Sequence, residues 1–416
     1  MRILQLGKFY PILGGVEKVM MDLTTGLSEA GIDCDMMCAT AEPEKRCAAG
    51  ASAAGSTDSS NGSNIGDSGS NIGDSNNNSN SNNNSGADDV NIFNLNAHGR
   101  VIVCRTWMKK ARTTIAPAMV TELRRRVNEY DIVHIHHPDP MAALALMLSG
   151  FKGKVILHWH SDILAQKVLL KFYLPIQKWL IGRADLILGT SPVYLAESPF
   201  LLKVQDKTRC LPIGIPPMKE DKAGAARIRN EYAGRKIVFT LGRLVEYKGY
   251  RYLIDAAAHL DDSFVVLIGG SGPLKAELQR QIDSLGLGNR IKLLGRVPDE
   301  DLPACYSACD LFCLSSIMKT EAFGIVQIEA MSLGKPVVAT KIPASGVSWG
   351  NQDGVSGLNV EPCDAPALAE AIKAVTKDEA TWNRFSEGAR NRFLSTFTKE
   401  KMISNCLNFY SELLSL

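Results

Sequence analysis

The chain has 416 residues, 45% hydrophobic and 22% charged, which is enough apolar surface for a folded interior and enough length for two domains. A formal net charge of +2 argues against a general nucleic-acid binder, and no nucleic-acid partner is expected. No apolar run reaches the length of a bilayer span, and Met1-Arg2-Ile3-Leu4-Gln5-Leu6-Gly7 opens like a buried strand rather than a signal peptide, so a cytoplasmic location is expected. Ten cysteines are scattered without a Cys-x-x-Cys framework. Cys305, Cys309 and Cys313 recur every fourth residue, as a metal-binding helix face would. The run 310–314 reads as a strand, however, and the thiols are expected to be core filling.

After the first strand come Gly14-Gly15 and a helix to about Ala30, a geometry that brings backbone close to a pyrophosphate. The full Gly-x-Gly-x-x-Gly spacing is missing, so this is not a dinucleotide fingerprint. Asp33-Cys34-Asp35 has a metal-holding form but precedes the strand 36–39, and it is read as a turn. Residues 48–89, rich in Ala, Gly, Ser and Asn with a tandem Ser-Asn-Ile-Gly-Asp-Ser repeat, are expected to be a disordered insertion. Regular structure resumes at Asn91. Between Arg100 and Arg126, Arg100, Arg105, Lys109, Lys110, Arg112, Arg124, Arg125 and Arg126 face a single acid, Glu122. With Trp107, Met108 and Ile115 interleaved, the stretch suits an anionic membrane surface, as does 163–183; an ordinary solvated face is the competing reading. Strands at 132–135 and 154–157 lead into His136-His137-Pro138-Asp139 and His158-Trp159-His160-Ser161-Asp162. Imidazoles there sit where parallel sheets bind ligands. A zinc reading of these histidines lacks a third ligand of clear spacing.

Residues 211–217 read as a stiff linker, and 236–241 begins a second α/β domain. Arg243 and Lys248, on a glycine-bounded loop after that strand, can neutralise two phosphates from one side. The strands 264–268 and 291–295 end in Gly269-Gly270-Ser271-Gly272 and Arg296-Val297. The stretch 310–340 runs strand, loop, helix, strand. Glu321 precedes the helix and Glu329 lies on it, while the backbone N–H groups of Ala322, Phe323, Gly324, Ile325 and Val326 make an anion-ready helix start. Gly324 is read as room for a phosphate, and Gly334 with Pro336 as the helix stop. Two acids placed this way suggest a grip on a sugar by one and a ribose by the other. The tail 399–416 is amphipathic.

Glu321 and Glu329, bracketing Phe323-Gly324 and running into Glu329-Ala330-Met331, resemble the signature of glycosyltransferase family 4. Gly14-Gly15, Thr190-Ser191, Gly242-Arg243 with Lys248-Gly249, and Gly346-Val347-Ser348-Trp349 extend the likeness to nearly the whole chain, in the manner of the enzymes of bacterial surface polysaccharide and lipopolysaccharide. The resemblance implies the α/β GT-B fold: two Rossmann-like doubly wound parallel-sheet domains facing across a cleft. Their expected limits are 1–213 on the acceptor side and 214–398 for the nucleotide sugar, with 399–416 returning to the first domain. It implies retaining transfer of a mannose-, rhamnose- or glucose-type hexose from a GDP- or UDP-sugar to a lipid-linked or growing glycan, with no metal and no cofactor. On this reading Gly15, Arg243, Lys248 and the helix start take the diphosphate, and Glu321 takes sugar hydroxyls. Glu329 takes the ribose, the Val297 loop borders the base, and His160, close to Asp162, contacts the sugar, with His158 as the alternative. A peripheral place on the inner face of the plasma membrane would fit. Two rivals remain: a nucleotide-sugar epimerase on the same fold, and a non-catalytic nucleotide-sugar binder, the latter because residues 315–320 depart from the family's usual small residues.

Overall fold

The computed structural model describes residues 1–12, 14–43, 89–110, 113–163 and 167–415. Apart from Asp89, the expected insertion lies outside these residues, as does Arg112. The first part of the chain alternates β1 (Arg2–Tyr10), α1 (Gly15–Glu29), β2 (Asp33–Thr40), β3 (Val90–Asn96), β4 (Gly99–Cys104), β5 (Met108–Lys110), β6 (Thr113–Ile115), α2 (Pro117–Arg126), β7 (Ile132–His137), α3 (Pro140–Ser149), β8 (Lys154–Trp159), α4 (Lys167–Arg183), β9 (Leu186–Gly189), α5 (Pro192–Glu197) and β10 (Thr208–Cys210). The strands form one sheet in the order β10-β9-β8-β7-β1-β2-β4-β3, parallel except for β3, while β5 and β6 pair separately.

The second part runs α6 (Lys222–Glu231), β11 (Lys236–Leu241), α7 (Tyr250–Ala258), β12 (Phe264–Gly269), α8 (Lys275–Ser284), β13 (Ile291–Gly295), α9 (Leu302–Ala308), β14 (Leu311–Leu314), α10 (Ile325–Ser332), β15 (Val337–Thr340), α11 (Val347–Gly350), β16 (Gly357–Val360), α12 (Ala365–Val375), α13 (Glu379–Thr396) and α14 (Lys399–Ser415). Its sheet is parallel throughout, in the order β13-β12-β11-β14-β15-β16. Helices cover both faces, so strands such as β12 and β14 are buried at every residue and read as continuous apolar runs.

Two strand readings needed correction. Asp33 and Asp35 lie within β2, not in a turn. Asp35 is buried because Arg100 Nη2 binds its carboxylate at 2.6 Å and the Tyr130 hydroxyl donates to it at 2.9 Å. β7 and β8 also extend two residues further than expected, which places His136, His137 and His158 on strands inside the sheet.

One apolar core joins the two sheets, passing from Ile3, Val19 and Ile156 through Leu211, Ile213 and Ile215 to Phe323, Phe397, Met402 and Tyr410. Where the chain crosses between domains, the Ile215 N–H donates to Phe397 O at 2.9 Å and the Lys399 N–H to Ile215 O at 3.0 Å. α14 then packs on α1, with Ile403 filling the space over Gly26 and Lys399 Nζ donating to Thr25 Oγ1 at 3.2 Å.

Gly270, just past β12, holds φ at +135°, and a Cβ there would lie 1.8 Å from the Gly242 carbonyl oxygen. Gly270→Ala must shift two loops and strain its own backbone. We expect a loss of roughly 3 kcal/mol or more, read as a lower unfolding midpoint in urea.

The basic stretch is mostly neutralised. Arg105 pairs with Asp89, Lys109 with Glu42, and Arg125 and Arg126 with Glu122. Trp107, just before β5, Met108 on β5 and Ile115 on β6 are exposed at 51%, 51% and 41%. Among the described residues no helix is long and apolar enough to cross a membrane.

Candidate functional site

The loops at the carboxyl ends of the two sheets meet. Gly15 opens α1, and a Cβ on it would stand 3.0 Å from Ile325 Cδ1 at the start of α10, so two helix N-termini oppose each other. Ser191 Oγ, from the loop after β9, stands against Gly346 of the second domain. Lys319 Nζ reaches Asp162 at 2.8 Å and lies 4.7 Å over the Tyr194 ring. Its carboxylate partner is fully enclosed and also accepts from Trp159 Nε1 at 2.9 Å and Ser198 Oγ at 2.8 Å.

The loop after β11 is shaped by glycines. Gly242 holds φ at +155°, residues 246–248 make one 3-10 turn, and Gly249 ends it in the left-handed region. A Cβ on Gly249 would lie 2.1 Å from Ser315 O, so its absence lets this loop lie on the loop after β14. Ile317 N–H donates to Tyr247 O at 2.8 Å, and Ser315 Oγ to Lys248 O at 3.0 Å. Lys248 is thereby aimed at Glu321, Nζ to Oε2, at 2.5 Å, with both side chains 11% exposed. Ser316 Oγ donates to the same Oε2 at 2.9 Å. Oε1 makes no hydrogen bond to a described residue. Arg243, on the same loop, is exposed and has no ion-pair partner among the described residues. The Tyr250 hydroxyl, buried beside Gly242, is pushed well up by burial and then by the Glu321 charge.

The stretch 322–326 departs from expectation in two ways. α10 begins only at Ile325, so the amides of Ala322 and Phe323 belong to the preceding loop. The Phe323 side chain is 4% exposed and packs edge-on against Phe397, with ring centroids 5.8 Å apart, so only its backbone borders the site. Gly324 is demanded by φ of +77° and by Leu314, whose Cδ2 would be 2.6 Å from a Cβ. Val326 and Ile325 are half-buried on the first turn. Glu329, on α10, accepts from the Tyr306 hydroxyl at 2.7 Å, and burial raises its carboxyl above the usual range. Tyr306 is itself fixed between Phe239 and Phe312. Val297 lies half-buried after β13, lining a cavity of about 460 Å³ with Leu267, Arg296, Asp301 and Tyr232.

His160 is not bonded to Asp162. Its Nε2 lies 2.9 Å from His136 Nδ1, and its ring stacks on His158 at 3.9 Å. His158 is fully buried on β8, whereas His160, 4% exposed, stands just beyond the strand end. His134, His136 and His158 bring ring nitrogens within 4.8 Å of one another, but His134 Nε2 already pairs with His158 Nδ1 and both His136 nitrogens are engaged. Burial pushes all of these rings down, His158 to about 3, and keeps them neutral. Cys305, Cys309 and Cys313 fall on a helix, its C-terminal cap and a strand, and all three are buried with raised thiols. Sequence reasoning missed Lys319, Ser316, Tyr250 and Tyr306. Only Tyr250, directly after Lys248-Gly249, carried a positional signal.

Two parallel-sheet domains meeting at their strand ends over opposed helix starts define the GT-B class of glycosyltransferases. A family model described as Glycosyltransferase Family 4 matches residues 13–218, and one described as Glycosyl transferases group 1 matches residues 222–392. O-antigen chain mannosyltransferase C of Escherichia coli is 33% identical over 317 residues, 76% of this chain and 84% of that one. D-rhamnosyltransferase WbpZ of Pseudomonas aeruginosa is 32% identical over 293 residues, 70% of this chain and 76% of that one. HepE of Anabaena in complex with UDP superposes with a TM-score of 0.71 at 21% identity, covering 99% of this chain and 100% of that one. The chain belongs to glycosyltransferase family 4.

Proposed function

We propose that the protein moves a hexose from a nucleoside diphosphate donor to a hydroxyl of a lipid-linked or growing glycan, with retention of anomeric configuration, in surface polysaccharide synthesis. The observation that carries this reading is the Lys248–Glu321 pair, in which one carboxylate oxygen is taken by Lys248 and Ser316 while the other makes no bond to a described residue. Oε1 is then the acceptor for a sugar hydroxyl. Leaving-group departure places negative charge on the diphosphate, and preorganised donors answer it best. Arg243, Lys248 and the amides at Gly15, Gly324, Ile325 and Val326 surround that position, and the reaction needs no divalent ion on this reading. Glu329 takes the ribose and the Val297 loop borders the base. The half-filled acceptor shell of Glu321 favours transfer over a merely binding role. The mannosyl- and rhamnosyltransferase relatives support a hexose of that type, and exposed Trp107, Met108 and Ile115 support a peripheral contact with anionic lipid on the acceptor domain.

Incubation with radiolabelled GDP- and UDP-hexoses and a lipid extract, with a chelator present, tests this. Label is expected in the lipid fraction. Epimerised free donor, binding without transfer, or turnover that a divalent ion alone restores would each overturn the reading.

A further inference from the structure

Six polar side chains line the face of the first sheet that is turned toward α1 and α14. They are Gln5 on β1, His134 and His136 on β7, His158 on β8, His160 just beyond it and Tyr410 on α14. All but His160 are 0% exposed. Among such buried groups an unmatched donor or acceptor is costly, so the proton positions are linked along the chain of contacts, and the direction in which the Gln5 amide points sets them all. The Gln5 amide nitrogen faces the Tyr410 hydroxyl at 3.0 Å and Cys34 Sγ at 3.9 Å, and it has only protons to give. Gln5 Oε1 must then accept, so His136 Nε2, 2.8 Å away, holds a proton. In a neutral ring that leaves His136 Nδ1 bare, and it accepts from His160 Nε2–H. On the other side Tyr410, an acceptor from Gln5 with Cys406 also in hydrogen-bond reach, gives its own proton to the stronger acceptor, His134 Nδ1, at 2.6 Å. His134 Nε2–H then donates to His158 Nδ1 at 3.2 Å. His158 Nε2, buried without a partner, ends the chain.

We propose that Gln5 and Tyr410 are positioning residues that hold His160 as the Nε2–H tautomer, so that its bare Nδ1 accepts a hydroxyl proton from the donor sugar. The proposal rests on the reading that His160 contacts that sugar. A helix from the far end of the chain thus sets which proton a residue at the site carries, through two intervening side chains. Without the Tyr410 hydroxyl the Gln5 amide is free to rotate. Rotation reverses the order, leaving His136 protonated on Nδ1 and His160 presenting an N–H where the sugar needs a lone pair.

Long-range proton–nitrogen correlation spectra of histidine-labelled protein, without substrate, read the tautomers directly. In the native chain His134, His136, His158 and His160 are all expected to be protonated on Nε2; a proton on Nδ1 of His160 overturns the proposal whatever the protein catalyses. Tyr410→Phe keeps the ring in its packing. It is expected to move His136 and His160 toward Nδ1–H and to lower kcat/KM for the donor about tenfold, the weight of one lost hydrogen bond. Gln5→Met, cutting the next link, is expected to repeat the result. Unchanged tautomers in both variants overturn the wiring. Shifted tautomers with unchanged kinetics overturn the sugar contact of His160 instead. The native spectrum decides the proton order even if neither variant folds.

Discussion

Glu321→Ala is expected to cut the transfer rate by roughly two to three orders of magnitude, as removal of one preorganised electrostatic group commonly does. Its Oε2 sits 2.5 Å from Lys248 Nζ and 2.9 Å from Ser316 Oγ, so the carboxylate is held still before any sugar arrives. On the proposed reading, removing it takes away the acceptor held ready for a sugar hydroxyl. Lys248→Ala is expected to lose at least as much, because the ammonium orients Glu321 and, on the proposed reading, also neutralises the departing diphosphate. That variant also strands a nearly enclosed carboxylate, so its unfolding midpoint is expected to fall as well. Single-turnover transfer assays, with circular dichroism to confirm the fold, measure both. Near-normal rates in the two variants together would remove the site assignment.

The second large effect is acid lability. His134, His136, His137, His158 and His160 are all buried with pKa values pushed below their ordinary value near 6.5, to about 3 for His137 and His158, and burial is the leading cause in each. The unfolded chain protonates these rings below pH 6.5 and the folded chain does not. Their contribution to stability is therefore fully present above the unfolded value and shrinks as pH falls through it toward the folded values. Each ring costs about 1.4 kcal/mol per pH unit in that window, so five together approach 7 kcal/mol per unit. Against a typical total of 5–15 kcal/mol, unfolding is expected between about pH 6 and 4. Urea midpoints followed by tryptophan fluorescence from pH 7.5 downward test this; a midpoint that stays flat to pH 4.5 would refute it.

The same histidines show where reading the chain falls short. The parallel strands were legible because β8, β11, β12 and β14 carry apolar runs, and the phosphate-side loop was legible because Gly242, Arg243, Lys248 and Gly249 follow a strand in fixed order. β7, Ile132–His137, alternates apolar residues with imidazoles, and the imidazoles look like the beginning of a loop. They are inside because His134 and His136 find partners in Tyr410 and Gln5, from strands and helices far away in the chain. Asp35 hid for the same reason, since its burial depends on Arg100 and Tyr130. At Phe323 and Gly324 the structure adds a packing reason that the motif alone does not carry. Phe397 and Leu314 fix those two side-chain choices, and no local pattern reveals either neighbour.

The backbone passes between the lobes twice, and at Ile215 and Phe397–Lys399 the two passages are laced together by a pair of backbone hydrogen bonds. Such an arrangement acts as an axle. It resists the lobes being drawn apart, and α14 packs on α1 of the first lobe while α13 packs on α10 of the second. The Lys319–Asp162 pair is a second tie between the lobes, at the site itself, so any parting of the lobes there must break it.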